Sequence, residues 1–266
     1  MIREIMGVPE YYSIKDNIVS ISFRDQSLEE TFSSINKLGL DPATFYKFNN
    51  YGTRSDDLTN KHNGKHILFS GCSVTAGEGM PLDLVWSKKV YEMISQSEET
   101  SGYYNIAQPG GTIIGIVNQI LTYIGTFGSP DVIFLNLPDL DREDRYLRSG
   151  SESIKECTID ATGIQIFGKY QYLVKMCKQR GIDLITFTWD DMSVRPEVAD
   201  FRKDFDNFYT YNMNDLHKHM YKFQLDNKDH PMKDYFEYAL DGSHPGIAMH
   251  DFYANFAYNI YRRKND

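Results

Sequence analysis

From Lys65 onward the chain alternates between short apolar runs and longer segments whose apolar residues recur every three or four positions. The run Ile67–Ser70 is too short for a helix and stops at small residues, which predicts a buried strand. "DLVWSKKVYEMISQS" follows, with Trp86, Val90, Met93 and Ile94 at helical spacing. "YYNIAQ" predicts a second short strand. "GTIIGIVNQILTYIGTF" predicts a helix with a broad face of Ile113, Ile116, Val117, Ile120, Leu121 and Ile124. "DVIFLNLP" is continuously apolar, as suits a strand covered on both faces of a parallel sheet. "GIQIFGKYQYLVKMCKQRG" predicts an amphipathic helix closed by Gly181, leading into the strand "IDLITFT". "HDFYANFAYNIYRR" predicts a last helix.

Strands alternating with helices through short connections predict an α/β fold: a doubly wound, three-layer sandwich around a mostly parallel sheet. In such sheets ligands bind outside the carboxyl ends of the strands. That edge would collect Gly71–Ser73, Gly110–Gly111, Asn136–Asp139 and Trp189–Asp191. Residues 1–60 follow a different pattern and are expected to form an N-terminal extension to a main domain spanning 61–266. There, "YYSIKDNIVSISF" alternates weakly, like an edge strand or hairpin. "SLEETFSSINKLGL" predicts a short helix stopped by Gly39, and "FNNYGTRSDDLTNKHNGK" a polar loop. The segment "PEVADFRKDFDNFYTYNMNDLHKHMYKF" predicts amphipathic helix, either a lid over the site or packing on the sheet edge.

Composition narrows the function. The 266 residues suffice for one large domain or a domain with an appendage. A net charge of −9 argues against nucleic-acid binding, which needs a basic face to displace counterions. No apolar run approaches a membrane span, and the first residues lack the pattern of a signal peptide. Three widely spaced cysteines, Cys72, Cys157 and Cys177, suggest neither a disulfide framework nor a zinc site. Both observations favour a cytoplasmic setting. His217, His219 and His230 lack metal-ligand spacing and read as a solvated helix face, and the glycine-rich stretches lack the Lys-Ser/Thr of a phosphate loop. Neither a metal nor a cofactor is expected. The 19 Tyr and 16 Phe could stack on sugars, but core and half-buried positions account for most rings of this kind.

Candidate chemistry centres on "FSGCSVTAGEG" and "LDGSHPGIAMH". A serine hydrolase needs a hydroxyl nucleophile, an imidazole to take its proton and a group to orient the imidazole. Ser73, His244 and Asp241 supply these in the order Ser, Asp, His. Together with "NIAQPGGT", these motifs resemble the SGNH (GDSL-type) hydrolases over about Lys65 to the C-terminus. The polar lead-in "NNYGTRSDD" also resembles a preamble of some members. The resemblance implies Ser73 as nucleophile, the N–H of Gly110 as an oxyanion donor, and Asp241 and His244 as the rest of the triad. Ser73 opens a helical segment, so its own N–H can also face an oxyanion.

The chain departs from that pattern twice. Cys72 replaces an Asp that is not the nucleophile, and the register keeps Ser73, not Cys72, at the reacting position. The third block, normally G-x-N-D, reads "NLPDLDRED", with Leu140 where the donor Asn is expected. Asn136 is then either a replacement donor or a satisfied strand amide, and Asp139, Asp141 and Arg142 are candidates to line the substrate. His250 reads as support for the last helix. The resemblance implies a metal-free serine esterase acting on an acyl or acetyl ester, with a small-molecule or carbohydrate substrate and a preference for polar acetylated compounds. Two alternatives stay open: a binding or structural module on an eroded site, recognising glycan or an assembly surface, and an acyltransferase using the same triad. Oligomeric state is not legible.

Overall fold

The computed structural model describes residues 12–15, 18–21, 35, 37–40, 45–49, 51–138, 158–188 and 205–265. Two short strands, β1 (Tyr12–Lys15) and β2 (Ile18–Ile21), pair antiparallel as a hairpin. The main sheet holds β3 (Lys65–Gly71), β4 (Thr100–Asn105), β5 (Val132–Leu137) and β6 (Asp183–Thr188). All its pairings are parallel, in the order β4-β3-β5-β6. The expected α/β architecture is therefore present. The strand order reverses direction at β3, so the crevice between β3 and β5 is the topological switch point, where open α/β sheets bind their ligands. Gly71 pairs with Asn136 in that crevice.

Helices cover both faces. On one side lie α1 (Ser73–Ala76), α2 (Trp86–Ser95) and, after long connections, α5 (Met213–Asp226) and α6 (Ile247–Asn265). Their core contains Phe69, Phe134, Phe187, Trp86 and Tyr253, all wholly buried. On the other side lie α3 (Ile113–Phe127) and α4 (Thr158–Arg180), packed on Leu68, Ile133, Leu135 and Leu184. Burying one such side chain contributes about 1.5–3 kcal/mol, so the two apolar layers supply most of the drive to fold. Helix ends follow local chemistry. The Thr112 hydroxyl accepts from the Gly115 N–H at 3.2 Å and starts α3. At the end of α4, the Ile182 N–H reaches back to Cys177 O at 2.9 Å while Gly181 turns left-handed.

Two helices differ from expectation. The pattern from Gly163 extends back to Thr158 in α4. Of the helix expected over 196–223, residues 196–204 lie outside the described residues, and within 205–223 it is realised as α5 from Met213. Residues 205–209 instead serve the sheet edge: Thr186 N–H donates to Asn207 O at 2.9 Å, and Tyr209 N–H to Thr186 O at 2.8 Å. These bonds use backbone groups that a helix would need. α5 packs on α6 through Leu216 and Phe223, and His219 faces Asp251 at 3.2 Å, so this histidine is not on a solvated face. Ile35 and Phe45 lie in the α2/α6 core and Leu58 in the α3/α4 core, so segments before residue 61 contribute to the main body. Among the described residues no helix is long and apolar enough to cross a membrane, and no group of three His, Cys, Asp or Glu could hold a metal ion.

Candidate active site

β3 ends at Gly71, and α1 begins two residues later at Ser73. A side chain at Gly71 is excluded: a Cβ there would stand 2.3 Å from Thr75 Oγ1 and 2.6 Å from Asn136 O. This close approach turns the chain so that Ser73 leaves the sheet at its carboxyl edge. Cys72 is wholly buried in the core, whereas Ser73 opens α1. As the first helical residue, Ser73 has an N–H with no intrahelical acceptor. Its Oγ makes no hydrogen bond among the described residues.

β4 brings the second motif alongside. Ile106 N–H donates to Phe69 O at 2.9 Å and Gln108 N–H to Gly71 O at 3.0 Å, which lays the Gln108–Gly110 turn against the Gly71–Ser73 turn. Gly110 is exposed, with φ 71°, and its N–H is bonded to no acceptor among the described residues. Beneath them, Asn105 Nδ2 donates to Thr75 O at 2.8 Å and its Oδ1 accepts from Ala107 N–H at 2.9 Å. This buried amide ties the two turns together.

The third motif arrives from the loop before α6. Asp241 Oδ1 accepts from the N–H groups of Ser243 and His244, both at 3.0 Å, and its Oδ2 accepts from His244 Nδ1 at 2.5 Å. The loop docks on the segment after α1, where Leu240 N–H donates to Gly79 O at 3.0 Å. Gly79 must be a glycine: φ is 69°, and a Cβ would lie 2.9 Å from Asp241 Cγ. Ser73, Gly110, Asp241 and His244 thus gather at one sheet edge.

His244 meets a second carboxylate. Its Nε2 faces Glu78 Oε2 at 3.2 Å, while Glu78 Oε1 is buried without a partner. Burial works against a charge on His244, but the bonds and charges of Asp241 and Glu78 outweigh it and push the imidazole up to about 9. Burial likewise opposes ionisation of Asp241, but the His244 bond and charge, with the two backbone N–H groups, bring its carboxyl down to about 2.

Asn136 sits on β5 between Gly71 and Phe187, completely buried, and among the described residues neither its Nδ2 nor its Oδ1 has a hydrogen-bond partner. An orphaned buried amide is costly and rare in a folded protein. Asp139, Asp141, Arg142, Leu140, Cys157 and Trp189–Asp191 lie outside the described residues. His250 is wholly buried in α6, and its Nδ1 accepts from Trp86 N–H at 3.1 Å; burial, then the positive charges nearby, hold it down at about 3.

Sequence reading missed the clamp that holds the Ser73–Met80 segment. Arg54 is buried; Nη1 donates to Ala76 O (3.2 Å) and Gly77 O (2.5 Å), and Nη2 to Phe45 O (2.8 Å) and Met80 O (3.0 Å). Its guanidinium lies 4.7 Å from the centre of the Tyr46 ring, whose hydroxyl accepts from Gly79 N–H at 2.6 Å. The one signal was an Arg within the polar lead-in "NNYGTRSDD", which resembles a family preamble. Glu78 and Asn105 stand inside the motifs "FSGCSVTAGEG" and "NIAQPGGT", but neither was given a role.

No protein-family model matches the chain, and no curated protein matches it. Solved structures with a similar course of the backbone include a psychrotrophic esterase, EstA, from Pseudoalteromonas sp., inhibited by monoethylphosphonate: 15% identity over 75% of this chain and 98% of that one, TM-score 0.47. Another is a member of the lipolytic G-D-S-L family from Veillonella parvula, at 16% identity over 74% of this chain and 98% of that one, TM-score 0.41. A third is a carbohydrate esterase described as having divergent catalytic and non-catalytic binding functions, at 12% identity and TM-score 0.46; the match covers 75% of this chain and 65% of that one. These are likenesses of backbone course at low identity, and none carries an activity over to this chain.

Proposed function

We propose that the protein is a serine ester hydrolase of the SGNH type. Ser73 Oγ attacks the ester carbonyl, and His244 Nε2 takes its proton. The N–H groups of Ser73 and Gly110 receive the negative oxygen of the tetrahedral intermediate, and the Asn136 amide is the third donor. Collapse expels the alcohol, protonated by His244, and leaves an acyl-Ser73 that water hydrolyses by the same proton transfers. Asp241 keeps the ring oriented and stabilises its charge. A preorganised oxyanion donor commonly contributes about 3 kcal/mol to the transition state.

The observation that carries this reading is the Asp241–His244 pair, docked through Leu240 and Gly79 on the segment that follows Ser73. The substrate we assign is an acyl or acetyl ester on a polar molecule, a carbohydrate being the chosen class. Tyr238 supports that choice: it is 53% exposed and bridges to Pro245, next to His244, where a ring can pack against a sugar face. Asp139 and Arg142 remain candidates to line that substrate. A binding module without turnover is the second reading, favoured by the unbonded Ser73 Oγ.

Acetate release from p-nitrophenyl acetate and from acetylated xylan separates the two. The hydrolase reading expects turnover that falls by about 10⁴-fold or more in Ser73→Ala and His244→Ala. Sugar binding without turnover, unaffected by Ser73→Ala, would establish the module instead.

A further inference from the structure

The described geometry cannot be the reacting one. In the mechanism above, His244 Nε2 must accept from Ser73 Oγ. Here that nitrogen faces Glu78 Oε2 at 3.2 Å, and Ser73 Oγ makes no hydrogen bond among the described residues. The other ring nitrogen faces Asp241 Oδ2. Each ionised carboxylate can only accept, so both contacts are favourable together only when both ring nitrogens carry protons. A doubly protonated imidazole has no lone pair with which to act as a base.

Resting on the reading of Ser73 as nucleophile, we propose that Glu78 is an autoinhibitory positioning residue, whose carboxylate competes with Ser73 for His244 Nε2 and holds the base in its spent, protonated form. Glu78 is well placed to act this way. It follows α1 directly, with its N–H bonded to Ser73 O at 3.1 Å, so the nucleophile and its competitor move on one short segment. Its second oxygen is buried and unpartnered. Neutralising or displacing the carboxylate returns Nε2 to the hydroxyl. The groups around the imidazole are few. Asp241 and Ser243 come from its own loop, and Glu78 from the α1 segment. Tyr46 and Arg54 lie beneath that segment, and the buried His250 on α6 adds a weak electrostatic influence. Of these, Asp241 and Glu78 favour the charged ring, and only Glu78 sits where the nucleophile must bind.

The direction of the pH dependence follows. A base works only when deprotonated, and the imidazole is pushed up to about 9, so kcat/KM of the wild-type protein should climb through the alkaline range. Removing the Glu78 charge lowers the ring's pKa and moves the rising limb to lower pH.

The test compares kcat/KM for p-nitrophenyl acetate from pH 6 to 10 in wild type, Glu78→Gln and Glu78→Ala, with the His244 ring followed by NMR titration in each. The expected result is a rate at pH 7 raised about tenfold in both variants, as a one-unit fall in pKa gives, and a matching fall in the His244 titration midpoint. Hydrolysis with an unmoved limb, or a lower rate at pH 7 in both variants, overturns the brake alone. No hydrolysis and no fluorophosphonate labelling in wild type or variants overturns the hydrolase reading and the brake with it.

Discussion

The two ends of the parallel sheet are built on different terms. At the amino ends of the strands, charges are paired. Lys65 Nζ bonds Glu98 at 2.6 Å and the Tyr261 hydroxyl at 2.5 Å, Asp131 accepts from His66 N–H at 2.8 Å, and Lys264 meets Asp183. Among the described residues there, the Nδ1 atoms of His62 and His66 are the buried polar atoms without partners. At the carboxyl ends Asp241, His244 and Glu78 are paired as well, but buried polar groups are left over beside them. Ser70 Oγ, Thr75 Oγ1 and Glu78 Oε1, within five residues of Ser73, and both amide atoms of Asn136, paired with Gly71 across the sheet, are buried and unbonded among the described residues. Unpaired buried polar groups cost stability, and folds retain them where a ligand or a reacting atom completes them. The amino end holds the sheet together, while the carboxyl end carries the unmet polar groups on which the proposed chemistry draws.

Three substitutions would break or sharpen this contrast, beyond those at Ser73 and Glu78. Asn136→Leu has the largest expected effect: kcat falls about 100- to 1,000-fold, as for loss of one oxyanion donor. Thermal stability rises by about 1 kcal/mol, because an orphaned amide is replaced by an apolar group of similar size. Steady-state kinetics beside a melting curve reads both, and an unchanged kcat would make Asn136 a strand amide with no catalytic part. Arg54→Met comes next. It strips donors from four backbone carbonyls around the nucleophile segment and is expected to cost about 3–5 kcal/mol in urea unfolding. In what remains folded, labelling of Ser73 should slow as well. A variant that loses stability but labels normally would make the clamp purely structural. Lys65→Met, at the closed end, has the smallest effect. Lys65 and Glu98 are both partly exposed, so about 1 kcal/mol is lost, with kcat unchanged. A fall in kcat there would erase the distinction between the two ends.

Much of this arrangement was legible in the sequence. The β3 and β5 strands announce themselves as continuous apolar runs because both faces of a parallel sheet are covered. Asp241 and His244 were readable as a pair because three residues of separation let a carboxylate accept from its own loop and from the ring together. The rest depends on distant approach. Arg54 finds three of its four carbonyl partners 22 to 26 residues along the chain, and no periodicity encodes that. Glu78 sits in a glycine-rich turn where a charge ordinarily faces solvent, and its meeting with His244 arises only when the loop before α6 docks on Gly79. Over residues 205–209 the expected helix gives way to the edge contacts of Thr186, which outweigh an amphipathic pattern.

The central claim is that Ser73 is a nucleophile activated by His244. Incubation of the folded protein with a fluorophosphonate, followed by peptide mass mapping at pH 9, tests it most directly. The account predicts a single phosphonyl adduct on Ser73 in the wild type and none in His244→Ala, with that variant shown to be folded by circular dichroism at the labelling temperature. An unlabelled Ser73 in folded wild-type protein, or an adduct that forms equally fast without His244, would contradict it.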